Sequence, residues 1–164
     1  MRVTMEASGV TGVRVASAGL LAGGAPATGH ARAVVAGLDA HTSRQVTAEM
    51  VAEAELVVGL ARVHVREIAL FDGSLMTRCF TLKELVRRGS DVGPRQLGQT
   101  LESWLAQLGM GRTTHDLLGD SADDDVADPV GRPLAVYRQV AAELDDLTGR
   151  LVDLVWPARA ASSV

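Results

Sequence analysis

A long apolar stripe near the C-terminus limits what this chain can fold into more than any other feature. Tyr137, Val140, Ala141, Leu144, Leu147, Leu151, Leu154 and Val155 recur three or four residues apart, the spacing that places side chains on one side of an α-helix. The spacing predicts a helix over Pro133–Val155. Pro133 suits the first turn, where the missing N–H costs nothing, and Pro157 ends the run. Such a helix must bury its apolar side against something else. In a chain of 164 residues that means one shared core. Aromatic residues are only 3% of the sequence, so Val, Leu and Ala must build it.

The partners of that helix follow from the rest of the chain. Val13–Ala18 reads as a strand, β-branched at Val13 and Val15. Glu55–Leu60 is a short continuous apolar run, which suits a strand buried on both faces in a parallel sheet. Leu75–Phe80 reads as a third strand. Between them the spacing predicts helices over Ala27–Gly37, from a Thr47 cap through Ala54, and over Ala61–Leu70. Thr81-Leu-Lys-Glu84 fits a capping box and opens a helix ending near Gly89. Leu97, Leu101, Trp104, Leu105 and Leu108 mark another helix inside Gly93–Gly109. Leu38–Gln45 is polar linker, and Gly111–Val130 is a polar loop with an acidic run. Met1–Ser8 could be the last turn of a helix or an edge strand. The alternation predicts an α/β fold, an open parallel sheet flanked by helices, as one domain over residues 1–164. Three visible strands are few for such a sheet.

Charge and cysteine content narrow the class. The net charge is −4 and the pI near 5.5, which argues against nucleic-acid or anionic-membrane partners. A lone cysteine, Cys79, excludes an internal disulfide framework and fits a reducing compartment. No leader pattern and no bilayer-length apolar run occurs. The expectation is a cytoplasmic protein.

Candidate sites are sparse. Gly19–Gly29 lies between a strand and a helix, where a phosphate cradle could form. Gly19 and Gly24 have Walker-A spacing, but Ala25-Pro26 stands where Lys and Ser or Thr are needed. His30, His41, His64 and His115 show no zinc spacing, so no metal or cofactor is expected. Cys79, inside a predicted strand, reads as an apolar packer, although Arg78 beside it could lower a thiol pKa. Asp123–Asp125 reads as a solvated loop. Asp128-Pro129 holds a carboxylate in extended backbone just ahead of the long helix.

Several segments, in order, resemble the low-molecular-weight protein-tyrosine-phosphatase family. They are Val13–Leu20 with Ser17-Ala18-Gly19, His41-Thr-Ser-Arg-Gln45 followed by Thr47-Ala-Glu, Glu55–Leu60, and Asp125-Val-Ala-Asp-Pro129 followed by Val136-Tyr137. The resemblance covers most of Gly9–Pro157, and Lys83–Asp120 looks longer than in the usual member. It implies a parallel sheet with flanking helices and hydrolysis of phosphate monoesters through phospho-cysteine. A thiolate attacks phosphorus, backbone N–H groups and an arginine hold the phosphoryl oxygens, and an aspartic acid protonates the leaving oxygen. By resemblance Asp128 is that acid, Ser17 helps to order the phosphate loop, and the partners are phosphorylated proteins or small phosphate esters.

One part of the pattern is missing. The family's catalytic loop is C-x5-R-[ST], and here Cys79 is followed six positions later by Leu85. Met1–Ser8 resembles the tail of the family's first helix. The expectation is therefore a truncated phosphatase domain lacking its first strand and phosphate loop, inactive as written, with a start codon placed too late. The alternative is a non-catalytic, phosphatase-like binding or regulatory domain. An arsenate reductase relative would need further cysteines. Val130 and Gly131 follow Asp-Pro where members that favour phosphotyrosine often carry aromatic residues, which weakens a phosphotyrosine preference.

Overall fold

The computed structural model describes residues 10, 12–21 and 23–157; the alternatives for Met1–Ser8 lie outside them. The predicted C-terminal helix is the longest element, spanning Leu134–Val155 with Pro133 in the N-cap position. It turns Tyr137, Val140, Leu147, Leu151, Leu154 and Val155 inward as the stripe requires, with Leu144 half-buried beside them. Its main neighbour is the helix Leu82–Val92. Leu85 and Val86 of that helix, Phe80 ahead of it, and Trp104, Leu105 and Leu108 of the helix Leu101–Leu108 complete the larger core.

In chain order the helices are α1 (Gly29–Val34), α2 (Ala48–Ala52), α3 (Arg62–Ala69), α4 (Leu82–Val92), α5 (Leu101–Leu108) and α6 (Leu134–Val155). The strands are β1 (Val57–Gly59) and β2 (Cys79–Thr81). They are parallel, with Val57 opposite Cys79, Val58 opposite Phe80 and Gly59 opposite Thr81. The crossover runs through α3 and a 3-10 turn, Gly73–Thr77. Val51, Val65, Ile68, Leu75, Cys79 and Leu117 form a second, smaller core around that crossover. The fold is α/β, a small parallel sheet flanked by helices. Gly59 permits the tight β1–α3 corner, because a Cβ there would stand 3.0 Å from the His64 Cβ and 3.4 Å from Val65 Cγ2.

The sequence predicts two of the caps, Thr47 and Thr81, and the structure adds Thr28 and Thr100. Thr28, Thr47, Thr81 and Thr100 each accept a hydrogen bond from the backbone N–H three residues on, satisfying a donor that the helix cannot. The Thr81 box is only half formed. Glu84 turns away from the Thr81 backbone, and its carboxylate accepts from Arg88 and Arg112.

Four expectations are corrected. Residues 13–18 have no ladder partner among the described residues. The segment is tied at its end, where Gly19 forms an isolated parallel bridge with Gln45. A strand is defined by its neighbour, and β-propensity alone does not supply one. The third strand begins only at Cys79, since residues 73–77 are 3-10 turn. The helix opened by Thr81 runs past Gly89 to Val92. Gly89 is a crossing point, where a Cβ would meet Leu154 Cδ1 at 2.9 Å and Trp104 Cζ2 at 3.2 Å. The stripe before α5 is shorter than predicted. Pro94 and Gly98 break it, and Leu97 is 91% exposed.

Candidate functional site

The loop that carries Asp128 is anchored from both of the helices that follow the strands. Asp124, expected to be solvated, is 5% exposed. Its Oδ2 accepts from Arg62 Nη2 at 2.7 Å and Nε at 2.9 Å, and its Oδ1 accepts from Arg87 Nη2 at 2.7 Å. Arg62 opens α3 and Arg87 lies on α4, so one carboxylate bridges the two helices. Burial pushes Asp124 up, but the charge-assisted bonds from Arg87 and Arg62 outweigh it and hold the carboxyl below its usual 3.8.

Asp125 does a different job. Its Oδ1 accepts from the Arg62 backbone N–H at 2.7 Å, and its Oδ2 from the Ser121 N–H at 2.9 Å. The N-cap position of α3 is Ala61, which has no side-chain acceptor. A carboxylate 63 residues downstream therefore caps this helix. The next residue, Val126, is buried and donates its N–H to the Leu60 carbonyl at 2.7 Å, just past the C-terminal end of β1. Lys83 adds a bond to the Ala122 carbonyl at 3.2 Å.

Beyond Val126 the loop comes free. Ala127 and Asp128 are exposed. Asp128 Oδ1 accepts from the Val130 N–H at 2.9 Å, an Asx turn that fixes the side chain over its own loop. The Arg132 N–H donates to the Pro129 carbonyl at 2.9 Å, and α6 begins two residues later. The remaining Asp128 oxygen points to no cation within ion-pair distance among the described residues. The structure thus presents Asp128 as an accessible carboxyl on a turn, two residues after a buried anchor.

Ser17 sits elsewhere. It is exposed, and its carbonyl accepts from Arg44 Nε at 2.7 Å. Arg44 belongs to the His41–Gln45 loop, whose backbone also bonds Gly19 on both sides, through Gly19 N to Arg44 O and Val46 N to Gly19 O, each at 2.9 Å. Gly23 closes the same contact, since a Cβ there would lie 2.8 Å from the Arg44 Cα. The two sequence segments that carry the resemblance around Ser17 and Arg44 are therefore brought together. No hydrogen bond joins them to the Asp128 loop among the described residues. Tyr137 of α6 instead meets α1, where its hydroxyl accepts from Thr28 at 3.3 Å and its ring meets His30 edge-on at 5.2 Å.

Cys79 is buried in the smaller core. Burial pushes its thiol up to about 11, against the nearby Arg112 charge, and Glu84 adds to the rise. A thiol held there is almost wholly protonated near neutrality and does not attack. The hint from Arg78 fails, because that guanidinium bonds the Ala54 and Ala52 carbonyls at the end of α2. His64 accepts the Leu60 N–H on Nδ1 at 3.1 Å, a structural use. Among the described residues no cluster of His, Cys, Asp and Glu could hold a metal.

Sequence reading missed Arg62, Arg87, Asp124 and Asp125. One signal was available: α3 starts after an alanine, so its first N–H groups needed an acceptor from elsewhere.

A phosphatase fold is what these features define together with the solved structures that the chain resembles. The YwlE arginine phosphatase from Geobacillus stearothermophilus superposes with a TM-score of 0.63 at 28% identity, over 92% of this chain and 79% of that one. A YwlE mutant from Bacillus subtilis gives 0.63 at 27%, over 93% and 82%. Both have the low-molecular-weight protein-tyrosine-phosphatase fold, in line with the resemblance carried by the Ser17, Arg44 and Asp128 segments. No protein-family model matches the chain, and no curated protein does. Among the described residues no helix is long and apolar enough to cross a membrane.

Proposed function

We propose that this chain carries the proton-donating part of a low-molecular-weight phosphatase, with Asp128 as the general acid, and that these 164 residues alone do not hydrolyse phosphate esters. The observation that carries this is the pairing of an exposed, turn-fixed Asp128 with a cysteine that is buried and protonated. In the reaction that the fold performs, a thiolate forms a bond to phosphorus while the leaving group departs with the proton of the acid. The same aspartate then takes a proton from water as it attacks the phospho-cysteine. Asp128 can serve both proton transfers. The thiolate and the arginine fork cannot come from Cys79 and Leu85, both wholly buried.

The Geobacillus neighbour is named an arginine phosphatase, which makes a phosphoarginine peptide the first substrate class for this site. The side chains after Asp-Pro agree with a preference away from phosphotyrosine. Val130 and Gly131 are exposed and offer no aromatic wall for a phenol ring. The leaving atom would then be a guanidinium nitrogen, and Asp128 would protonate nitrogen in place of oxygen.

The test is direct binding and turnover with the purified chain. Phosphate from a phosphoarginine peptide and p-nitrophenol from p-nitrophenyl phosphate should both be released at the buffer rate, and Asp128→Asn should change nothing. A second reading, a non-catalytic phosphatase-like binding domain, rests on the inert Cys79. Saturable binding of a phosphorylated peptide by the chain, without turnover, would favour it over the first.

A further inference from the structure

We infer that Asp124, through Arg62 and Arg87, and Asp125, through the α3 N-terminus, are positioning residues for Asp128. This rests on the reading of Asp128 as the acid. Among the described residues, the bonds that tie the loop to β1, α3 and α4 lie at or before Val126. They are the two ion pairs of Asp124 at 2.7 Å each, the two backbone bonds of Asp125, the Lys83 bond to the Ala122 carbonyl, and the Val126 bond to Leu60. Beyond it, ahead of α6, come only the local Val130–Asp128 and Arg132–Pro129 bonds. Among the described residues Asp128 itself has only the local bond from Val130. Its location relative to the end of β1 is therefore inherited from the anchor two residues earlier. An acid must sit within hydrogen-bond reach of the leaving atom, and a displacement of about 1 Å at such a group can cost about a hundredfold in rate. The acidic run is then a division of labour. Asp124 locks the loop to α3 and α4, Asp125 locks it to the first turn of α3, and Asp128 is left unpaired for chemistry.

A loop that merely stabilises the fold would not need its anchor to report at Asp128, and this separates the two cases. The Val130 N–H bonds the Asp128 carboxylate, so its amide reports on the Asp128 turn. In 1H–15N spectra the Val130 amide should be slowed in exchange in the wild-type chain, and Asp128→Ala should remove that protection. Asp124→Asn should move the Val130 cross-peak and speed amide exchange at Val126 and Val130 about tenfold, while Leu105 in the larger core changes far less. Asp146→Asn, an exposed pair on α6, should do neither. If Asp124→Asn does not fold, Arg87→Gln, which removes one arm at a side chain that is half exposed, should give a smaller change in the same direction. An unmoved Val130 cross-peak and unchanged exchange in a folded variant would overturn the proposal. Because no phosphate compound enters the experiment, a failure of the phosphatase reading leaves its result intact.

Discussion

Residues 12–56 and residues 57–157 are built on different terms. In the second region, nearly every element contributes to a core. Phe80, Leu85, Trp104, Leu151 and Val155 are essentially sealed, and charged side chains are paired where they are buried. In the first region Val51 is the sole buried hydrophobic among the described residues, and α1 has none. That region is held by backbone bonds and isolated bridges around Gly19, Pro26 and the Thr42–Gln45 loop. The contrast shows where packing is concentrated. The well-packed part fixes the loop that carries Asp128, whereas Ser17 falls in the part with almost no core.

The largest break in this comparison should come from Trp104. It is 1% exposed, and its Nε1 donates to the Gly93 carbonyl at 3.0 Å. Trp104→Ala should cost about 3–5 kcal/mol in denaturant unfolding, close to the whole stability of a small domain. Next is Glu84, which holds Arg112 at 2.8 Å and Arg88 at 3.0 Å in the interior. Glu84→Ala leaves the nearly sealed Arg112 guanidinium without a carboxylate, although its bond to the Met76 carbonyl at 2.7 Å and its stacking over Phe80 at 4.4 Å remain. The expected loss is about 3 kcal/mol by chemical denaturation.

Acid sharpens the comparison further. Asp124 is held below 3.8 in the folded protein, so its contribution is complete above that value and is lost as pH falls through the lower folded value. Melting temperatures should therefore drop on acidification below 3.8, and Asp124→Asn should flatten that drop. The smallest effect should be in the first region. Val13 is 40% exposed, and Val13→Ala should shift unfolding by less than about 0.5 kcal/mol. A loss of several kcal/mol there would mean that residues 12–56 belong to the cooperative core after all.

How much of this was legible depends on whether a signal is local. The Thr47 and Thr81 caps, the α6 stripe and β1 as a buried apolar run were readable, because each needs only residues within a few positions. The fate of residues 13–18 was not, since a β-branched run announces a strand but not its partner. Asp124 looked like a surface acid because its partners lie 62 and 37 residues away. Asp128 drew attention through the proline after it, yet the anchoring of its loop was not visible. Cys79 was read correctly as a packer from its place inside an apolar strand.

Turnover of p-nitrophenyl phosphate by the purified 164-residue chain tests the central claim most directly. The account predicts release at the buffer rate for both the native sequence and Asp128→Asn. Catalysed release that disappears in Asp128→Asn would show that some other group in these residues attacks phosphorus, and would contradict it.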